Sequence, residues 1–452
     1  MTAITSRAKL QIFLFNWRRR QELGMILLSA LVVSSAYVVV SVARSAKIPA
    51  NLSVFLGAVI LLSLSAHLAI RWLAPLADSV IIPLVSLLNG LGYVIIVRLD
   101  VAFSKPFAPY QAAWTAIGVF AFILTLLVLK NLRDLDRYRY LFGLTGFILL
   151  LSPLVPKLGL RENGALLWIH IGSYSFQPVE IAKLCFVIFF ASYLSQNKEM
   201  LSTGTVRIGR LFFPDLRALA PVGIIWLVTM AIMGLEDDIG FALMFFVVFI
   251  AMIWIATGKY SYLVIGAILF VGAMFAGYHL FPQVAERMTA WRDPFKYPNT
   301  IGYQPIQAMI AMASGGLAGT GLGLGHPSFI PVANSDFIYA VIGEELGLFG
   351  TTAIASAFLI LIGSGLRVAI SARSDFVKLL VTGMTLTLGF QSIFIMAGIV
   401  RLLPLTGITL PFVSYGGSSL VANYILVAIL IKASDEANNK RLIKGYISSF
   451  AA

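Results

Sequence analysis

Twelve stretches of the chain are apolar over about the length that crosses the hydrocarbon core of a bilayer. They are residues 24–43, 52–70, 79–98, 112–129, 139–155, 178–195, 218–235, 240–257, 262–281, 337–366, 376–400 and 412–432. The pattern predicts an all-α fold, a polytopic membrane helix bundle of about twelve transmembrane helices forming one membrane domain. Two connections stand out by length, 156–177 and 282–335. The second spans 54 residues, far beyond an ordinary helix–helix connection, and loops of that length tend to be functional or disordered. It carries apolar pieces, Ile306 to Ala313 and the run GGLAGTGLGLG from Gly315 to Gly325. These predict short helices and turns that lie on the membrane or dip into it.

Composition agrees. The 452 residues are 59% hydrophobic and 12% charged, which excludes a water-soluble globule. The net charge of +13 suits nucleic acid or an anionic membrane surface, and its distribution selects the membrane. With the N-terminus in the cytoplasm, and with Arg98, Arg139, Lys378 and Lys432 at span ends counted with the adjoining segments, the inside holds 22 Lys and Arg and the outside 10, with Lys183 inside a span. The positive-inside rule then places both termini in the cytoplasm and both long connections on the outer side of the membrane. The stretch RAKLQIFLFNWRRRQE reads as a topology anchor that holds to anionic inner-leaflet lipids. The first apolar run, about 20 residues, is too long for a signal-peptide core and is a retained span.

Metal and nucleotide chemistry find little support. The lone Cys185 and the scattered His67, His170, His279 and His326 form no spaced ligand set. The Gly315–Gly325 run lacks the Lys-Ser/Thr ending of a phosphate loop and follows no strand, so tight turning is preferred to anion binding. No internal or inverted repeat is visible, which weighs against a secondary transporter.

Charges inside or beside the spans mark candidate sites. Glu180 and Lys183, in FQPVEIAK, share one helix face and neutralise each other, as a structural pair or as substrate contacts. Glu236, Asp237 and Asp238 crowd a short outer turn. They read as a solvated turn with Asp238 capping the next helix, and otherwise as a divalent-cation site or a partner for basic loop residues. ERMTAWRDPFKYPNTIGYQ offers Arg287, Arg292 and Lys296 to anionic headgroups or diphosphates, among interfacial aromatics. Asp336, where the long loop becomes the tenth span, is either a helix-capping acid or a general base at the mouth of an outward-facing cavity. Glu344 and Glu345 lie too deep to share that role and are expected to hold partners from other spans. RLLPLTGITLPFVSYGGSS, with two prolines and a Gly pair, predicts irregular backbone forming a second wall of the same site.

WIHIGSYSFQPVEIAK, SGGLAGTGLGLG, ANSDFIYAVIGEELG and LPLTGITLPFVSYGGSS, in this order, resemble the SEDS proteins (shape, elongation, division and sporulation), the family of RodA and FtsW. The two extra N-terminal spans are similar to the RodA-type proteins of Gram-positive actinobacteria. The resemblance implies a ten-helix core over residues 79–435, preceded by a basic segment and two extra helices (1–78) and followed by a cytoplasmic tail (436–452). It implies a peptidoglycan glycosyltransferase that polymerises lipid II at the outer face of the membrane, for elongation and shape or for division, beside a class B penicillin-binding protein. A lipid II flippase and a non-catalytic scaffold are the alternatives.

The family's essential acid falls on Asp336, preceded here by Asn334-Ser335 where His-Thr is common. The Glu and Lys of its Gln-Pro-x-Glu motif fall on Glu180 and Lys183. Substrate contacts are expected from Trp168, Gln177, Glu180, Lys183, Arg287, Arg292, Lys296, Tyr303, Gln304, Ser414, Gly416 and Gly417, with Asp238, Glu344 and Glu345 in support. No metal ligand set and no nucleic-acid partner is expected, and a divalent cation stays open.

Overall fold

The computed structural model describes residues 2–46, 52–162, 165–171, 174–208, 211–214 and 216–448. Residues 449–452 of the expected tail lie outside the described residues. The helices, in chain order, are α1 Thr2–Ser45, α2 Leu52–Leu73, α3 Ile81–Phe103, α4 Phe107–Val128, α5 Arg133–Arg137, α6 Arg139–Leu151, α7 Val179–Gln196 and α8 Lys198–Ser202. They continue as α9 Leu216–Leu235, α10 Ile239–Thr257, α11 Ser261–Leu280, α12 Pro282–Arg292, α13 Tyr303–Gly315, α14 Ile338–Ser371, α15 Asp375–Ile399 and α16 Gly417–Ser448.

Each of the twelve apolar stretches coincides with a helix. Among the described residues ten are long and apolar enough to cross a membrane, and Arg139–Leu154 and Gly223–Leu235 are shorter apolar helices. The protein is a polytopic helical membrane protein. Among the described residues five short strands accompany the bundle: β1 Gly159–Glu162, β2 Ala165–Ile171 and β3 Tyr174–Phe176 form an antiparallel sheet, and β4 Gly204–Ile208 pairs with β5 Leu211–Pro214. Such short strands give too brief an alternation to stand out beside twelve oily helices.

The most enclosed helices are α7, α15 and α16, whereas α11 lies almost wholly on the surface of the bundle. Small residues let the inner helices approach closely. A Cβ at Gly118 of α4 would lie 2.5 Å from the Tyr424 ring of α16, and one at Gly383 of α15 2.7 Å from Val187 of α7.

At one end of the bundle a buried ionic cluster joins the N-terminal helices to the core. Arg19 bonds Glu22 and the Ala77 carbonyl, and His67 Nδ1 lies 2.6 Å from Glu22 Oε1. Nearby, the Leu76 amide donates to Asp435 Oδ1 at 2.8 Å. Arg18 and Arg20 are exposed, but Arg19 is buried, so within the stretch that reads as a topology anchor one arginine is held inside the protein. A guanidinium out of water needs this pairing.

The 282–335 connection is folded. After α13, residues 316–325 run back against α14, which is broken at Gly347 (φ 63°, ψ −160°). A broken helix inside a membrane leaves backbone groups that must find partners within the protein. The loop supplies them on both sides of the break. Thr320 and Gly321 amides donate to the Glu344 and Glu345 carbonyls at 2.9 and 3.0 Å, while Leu348 and Phe349 amides donate to Gly316 and Leu317 carbonyls at 3.0 and 3.1 Å. The contact is too close for side chains, since a Cβ at Gly319 would sit 2.2 Å from the Glu345 carbonyl oxygen.

The two carboxylates complete this anchor. Glu345 accepts from Arg98 Nε at 3.0 Å and from the Gly323 amide at 2.8 Å, and Arg98 Nη2 donates to the Gly325 carbonyl at 2.7 Å. Glu344 Oε1 accepts from the His326 amide at 2.8 Å. The glycine run therefore turns its amides onto protein oxygens, and Glu344 and Glu345 fix the loop that leads to Asp336.

Candidate active site

At the other end of the bundle, α12, the start of α13, the approach to α14 and the 401–407 segment after α15 converge on a cleft of about 210 Å³. Its polar lining is Glu286, Arg287, Gln304, Asp336, Arg401 and Thr406, with Trp291 and Phe394 among the apolar walls. Residues far apart in sequence meet here because the loop that begins at α12 and the segment that ends α15 are bonded to each other. Arg287 Nη1 donates to the Thr406 carbonyl at 2.8 Å and to the Leu405 carbonyl at 3.4 Å, and Trp291 Nε1 donates to the Arg401 carbonyl at 3.1 Å.

Asp336 is half-buried. It caps no helix, for the N-cap position of α14 belongs to Phe337, whose side chain makes no capping bond. The Asp336 carboxylate instead accepts from Ser335 Oγ at 2.6 Å. Burial pushes its pKa above the ordinary aspartate value, against the opposing pull of the Ser335 hydroxyl and the Arg287 charge. The backbone before it is clamped by the second wall. Ser414 Oγ donates to the Ser335 carbonyl at 2.7 Å and the Tyr415 amide to the Asn334 carbonyl at 2.8 Å. Ser414 thus holds the chain beside Asp336 and does not line the cleft itself.

Behind Arg287 lies the acidic turn. Asp238 caps α10, accepting from the Phe241 amide at 3.1 Å, as its sequence position suggests. The turn is not solvated, however. Glu236 and Asp238 are 1% and 5% exposed, and β2 reaches the turn, where the Leu166 amide donates to the Glu236 carbonyl at 3.0 Å. Burial raises Glu236 to about 9, helped by the Asp238 charge. It raises Asp238 to about 7, with the Phe241 amide and Arg287 pulling down and Glu180 pushing up.

Because folding raises the Glu236 pKa, the folded state binds more protons than the unfolded chain between about 4.5 and about 9. That stabilising contribution is complete below the unfolded value and is lost as pH rises through the folded one. The melting temperature of the purified protein is expected to fall from pH 6 to pH 9, roughly the window this shift spans. Glu236→Gln should flatten the fall and raise the melting temperature at the alkaline end. A variant whose curve runs parallel to the wild type contradicts this.

The remaining sequence-expected residues lie elsewhere. Glu180 and Lys183 bond each other in the interior, and Lys183 Nζ also donates to Gln391 Oε1 at 2.9 Å. Both are fully buried and neither lines the cleft. Arg292, Lys296 and Tyr303 are exposed beside it. Trp168 sits on β2 opposite Leu160, and the Gln177 backbone amide donates to Ser418 Oγ at 2.8 Å. Gly417 packs on Trp114, and Gly416 on Thr409.

Of the expected set, then, Arg287, Gln304 and Asp336 share the cleft. Glu286, Trp291 and Arg401 were not foreseen as members. Glu286 and Trp291 lay in the stretch already suspected, but nothing local in Arg401 signals that it turns toward α12. Among the described residues no group of three His, Cys, Asp or Glu is placed to hold a metal ion.

Residues 78–439 match the family model FtsW/RodA/SpoVE, described as cell cycle protein. The peptidoglycan glycosyltransferase RodA of Mycobacterium tuberculosis is 41% identical over 427 residues, covering 93% of this chain and 91% of that one. The protein of the same name from Mycobacterium leprae is 42% identical over 382 residues, 83% of this chain and 81% of its own. Among solved structures, the rod shape determining protein RodA of Thermus thermophilus superposes with a TM-score of 0.56 at 24% identity, covering 80% of this chain and 98% of that one. A chain from a peptidoglycan synthase complex that coordinates polymerization and crosslinking gives 0.63 at 24% identity, over 79% and 97%. At that identity the structures speak for the fold, while the family model and the mycobacterial relatives speak for the lineage: the chain belongs to the FtsW/RodA/SpoVE family of cell cycle proteins.

Proposed function

We infer that this chain is a peptidoglycan glycosyltransferase and propose that the cleft at Asp336 is its active site. The observation that carries the site is a half-buried carboxylate that caps no helix and opens into a cleft shared with two guanidinium groups. Its relatives' names supply the reaction class, and the charge asymmetry of the connections supplies the side, with the cleft outside and both termini in the cytoplasm.

The substrate is lipid II as both donor and acceptor. The acceptor sugar's 4-hydroxyl attacks the donor's anomeric carbon, the new C–O bond forms as the C–O bond to phosphate breaks, and the electron pair leaves with the lipid diphosphate. Asp336 takes the hydroxyl proton, which is general-base catalysis. Arg287 faces the charge that builds on the leaving group. One displacement inverts the anomeric carbon. The product is a glycan strand, for elongation and shape or for division, and a class B penicillin-binding protein is the partner that crosslinks it.

A transport path would need charged groups free to meet substrate across the bilayer. Lys183 is taken by Glu180 and Gln391, and Glu345 by Arg98 and Gly323, which favours chemistry at the cleft.

The test is the pH dependence of glycan formation from lipid II by the purified protein with its transpeptidase partner. A base must be ionised, so turnover is lost as pH falls through the Asp336 pKa. Since burial raises that pKa, the acid limb of kcat/KM is expected above the ordinary aspartate value of about 4, and Asp336→Glu should move it. A preparation that forms no glycan at any pH, or an acid limb that ignores Asp336→Glu, overturns the assignment.

A further inference from the structure

We propose that Arg401 is a second diphosphate-binding residue, which with Arg287 forms a two-guanidinium cradle for the leaving group of a lipid-linked sugar donor. This deepens the reading above and rests on it.

The first observation is backbone geometry. Helix α15 ends at Ile399, and the next turn closes with the Leu402 amide on the Ala397 carbonyl at 2.8 Å and the Arg401 amide on the Gly398 carbonyl at 3.1 Å. This paired closure places the residue after the C-cap in the left-handed region, where glycine is the usual occupant. The occupant here is Arg401, at φ 59°. A side chain with a Cβ resists that conformation and glycine does not, so local backbone economy argues against arginine at this position.

The second observation is where the side chain goes. Arg401 lines the cleft that holds Arg287 and Asp336, and its guanidinium reaches across to Trp291 of α12. A guanidinium carries five N–H donors. Among the described residues, Arg401 Nη2 uses one on the Trp291 carbonyl at 2.9 Å, Nη1 meets only the Met309 sulfur at 3.5 Å, and Nε is buried without a partner. Thioether sulfur is a weak acceptor, so donors are left for an anion. Phosphate oxygens match a guanidinium's planar fork.

Arg287 reinforces this placement. Its bonds to the Leu405 and Thr406 carbonyls hold the segment that starts at Arg401, so the two cations are positioned as one unit. Two carboxylates share the cleft, Asp336 and the exposed Glu286. The arginines then serve the donor's diphosphate and Asp336 the acceptor's hydroxyl, which divides one cleft between the two substrates' reacting ends.

A purely structural reading exists, because Arg401 and Trp291 bond reciprocally between main chain and side chain. The experiment separates the two. Wild type, Arg401→Gly and Arg401→Lys, each purified with the partner transpeptidase, are compared for melting temperature, for lipid II polymerisation, and for inhibition by farnesyl diphosphate and farnesyl monophosphate. Glycine relieves the backbone conformation, so Arg401→Gly is expected to melt no lower than wild type. It should weaken inhibition by the diphosphate by roughly tenfold or more, the worth of a charge-assisted bond, while monophosphate inhibition changes little. Arg401→Lys should recover part of the loss.

Retained preference for the diphosphate in Arg401→Gly overturns the proposal, as does an Arg401→Lys protein that recovers none of the loss. So does a lowered melting temperature with equal loss toward both phosphates, which is the mark of a clamp. Asp336→Asn keeps the outcomes separate, being expected to bind farnesyl diphosphate as tightly as wild type, measured directly by calorimetry, without polymerising. If it polymerises normally, the base assignment falls while the Arg401 result stands.

Discussion

Asp336→Asn is expected to leave the protein folded and to reduce glycan polymerisation by about 10²- to 10⁴-fold, the usual contribution of a positioned base. The substitution keeps the shape of the side chain and removes its ability to take a proton. Folding should tolerate it because Asp336 carries little structure. It caps no helix, and the hydrogen bond it receives from Ser335 Oγ can be accepted equally by an amide oxygen. The backbone before it is held by Ser414 and Tyr415, independently of the carboxylate. Melting temperature and gel-resolved glycan formation, measured on the same preparation, check both halves. The loss should appear in kcat. A rise in KM with kcat unchanged would mean that Asp336 only binds substrate.

The largest expected effect on stability comes from Arg98→Met. Arg98 and Glu345 are 6% and 0% exposed, and removing the cation leaves a carboxylate out of water without its counter-charge. Breaking a buried pair this way costs about 3–5 kcal/mol. The damage should reach the proposed active site, because the same residues hold the glycine loop through Gly323 and Gly325, and that loop leads to Asp336. Arg98→Met is therefore expected to lower both the melting temperature and the polymerisation rate. The double variant with Glu345→Leu should regain much of the stability, since replacing a whole buried pair with apolar side chains is often neutral. Equal melting temperatures for wild type and the single variant contradict this picture.

The membrane helices were legible because a bilayer imposes a length on every span, and length and hydropathy are one-dimensional properties of a chain. The sheet that meets the acidic turn was not, and so Glu236 and Asp238 read as solvated when they are buried and a strand from another connection bonds the turn's backbone. Charges were legible as positions and less so as partners. Glu344 and Glu345 stand out as carboxylates in an oily segment, yet their work is to anchor a glycine loop at a helix break that no local pattern marks.

Arg19 illustrates the reverse case. It sits in a run of arginines that looks uniformly basic, while only its neighbours face outward. In the cleft, Asp336, Arg287 and Gln304 were reachable from sequence, as polar residues beside spans at one end of the bundle. Arg401 was missed because its role depends on a positive φ and on the convergence of α12 with the end of α15, which only coordinates reveal.

The central claim is that the acceptor hydroxyl meets the donor's anomeric carbon beside Asp336. A structure of the protein in a lipid bilayer with its partner, holding donor lipid II and an acceptor blocked against reaction, tests it most directly. The expected result places the acceptor's 4-oxygen position within about 3 Å of the Asp336 carboxylate, with the donor diphosphate on the arginine side of the same cleft. Substrate density in a different groove, with Asp336 shut off from both sugars, would contradict it.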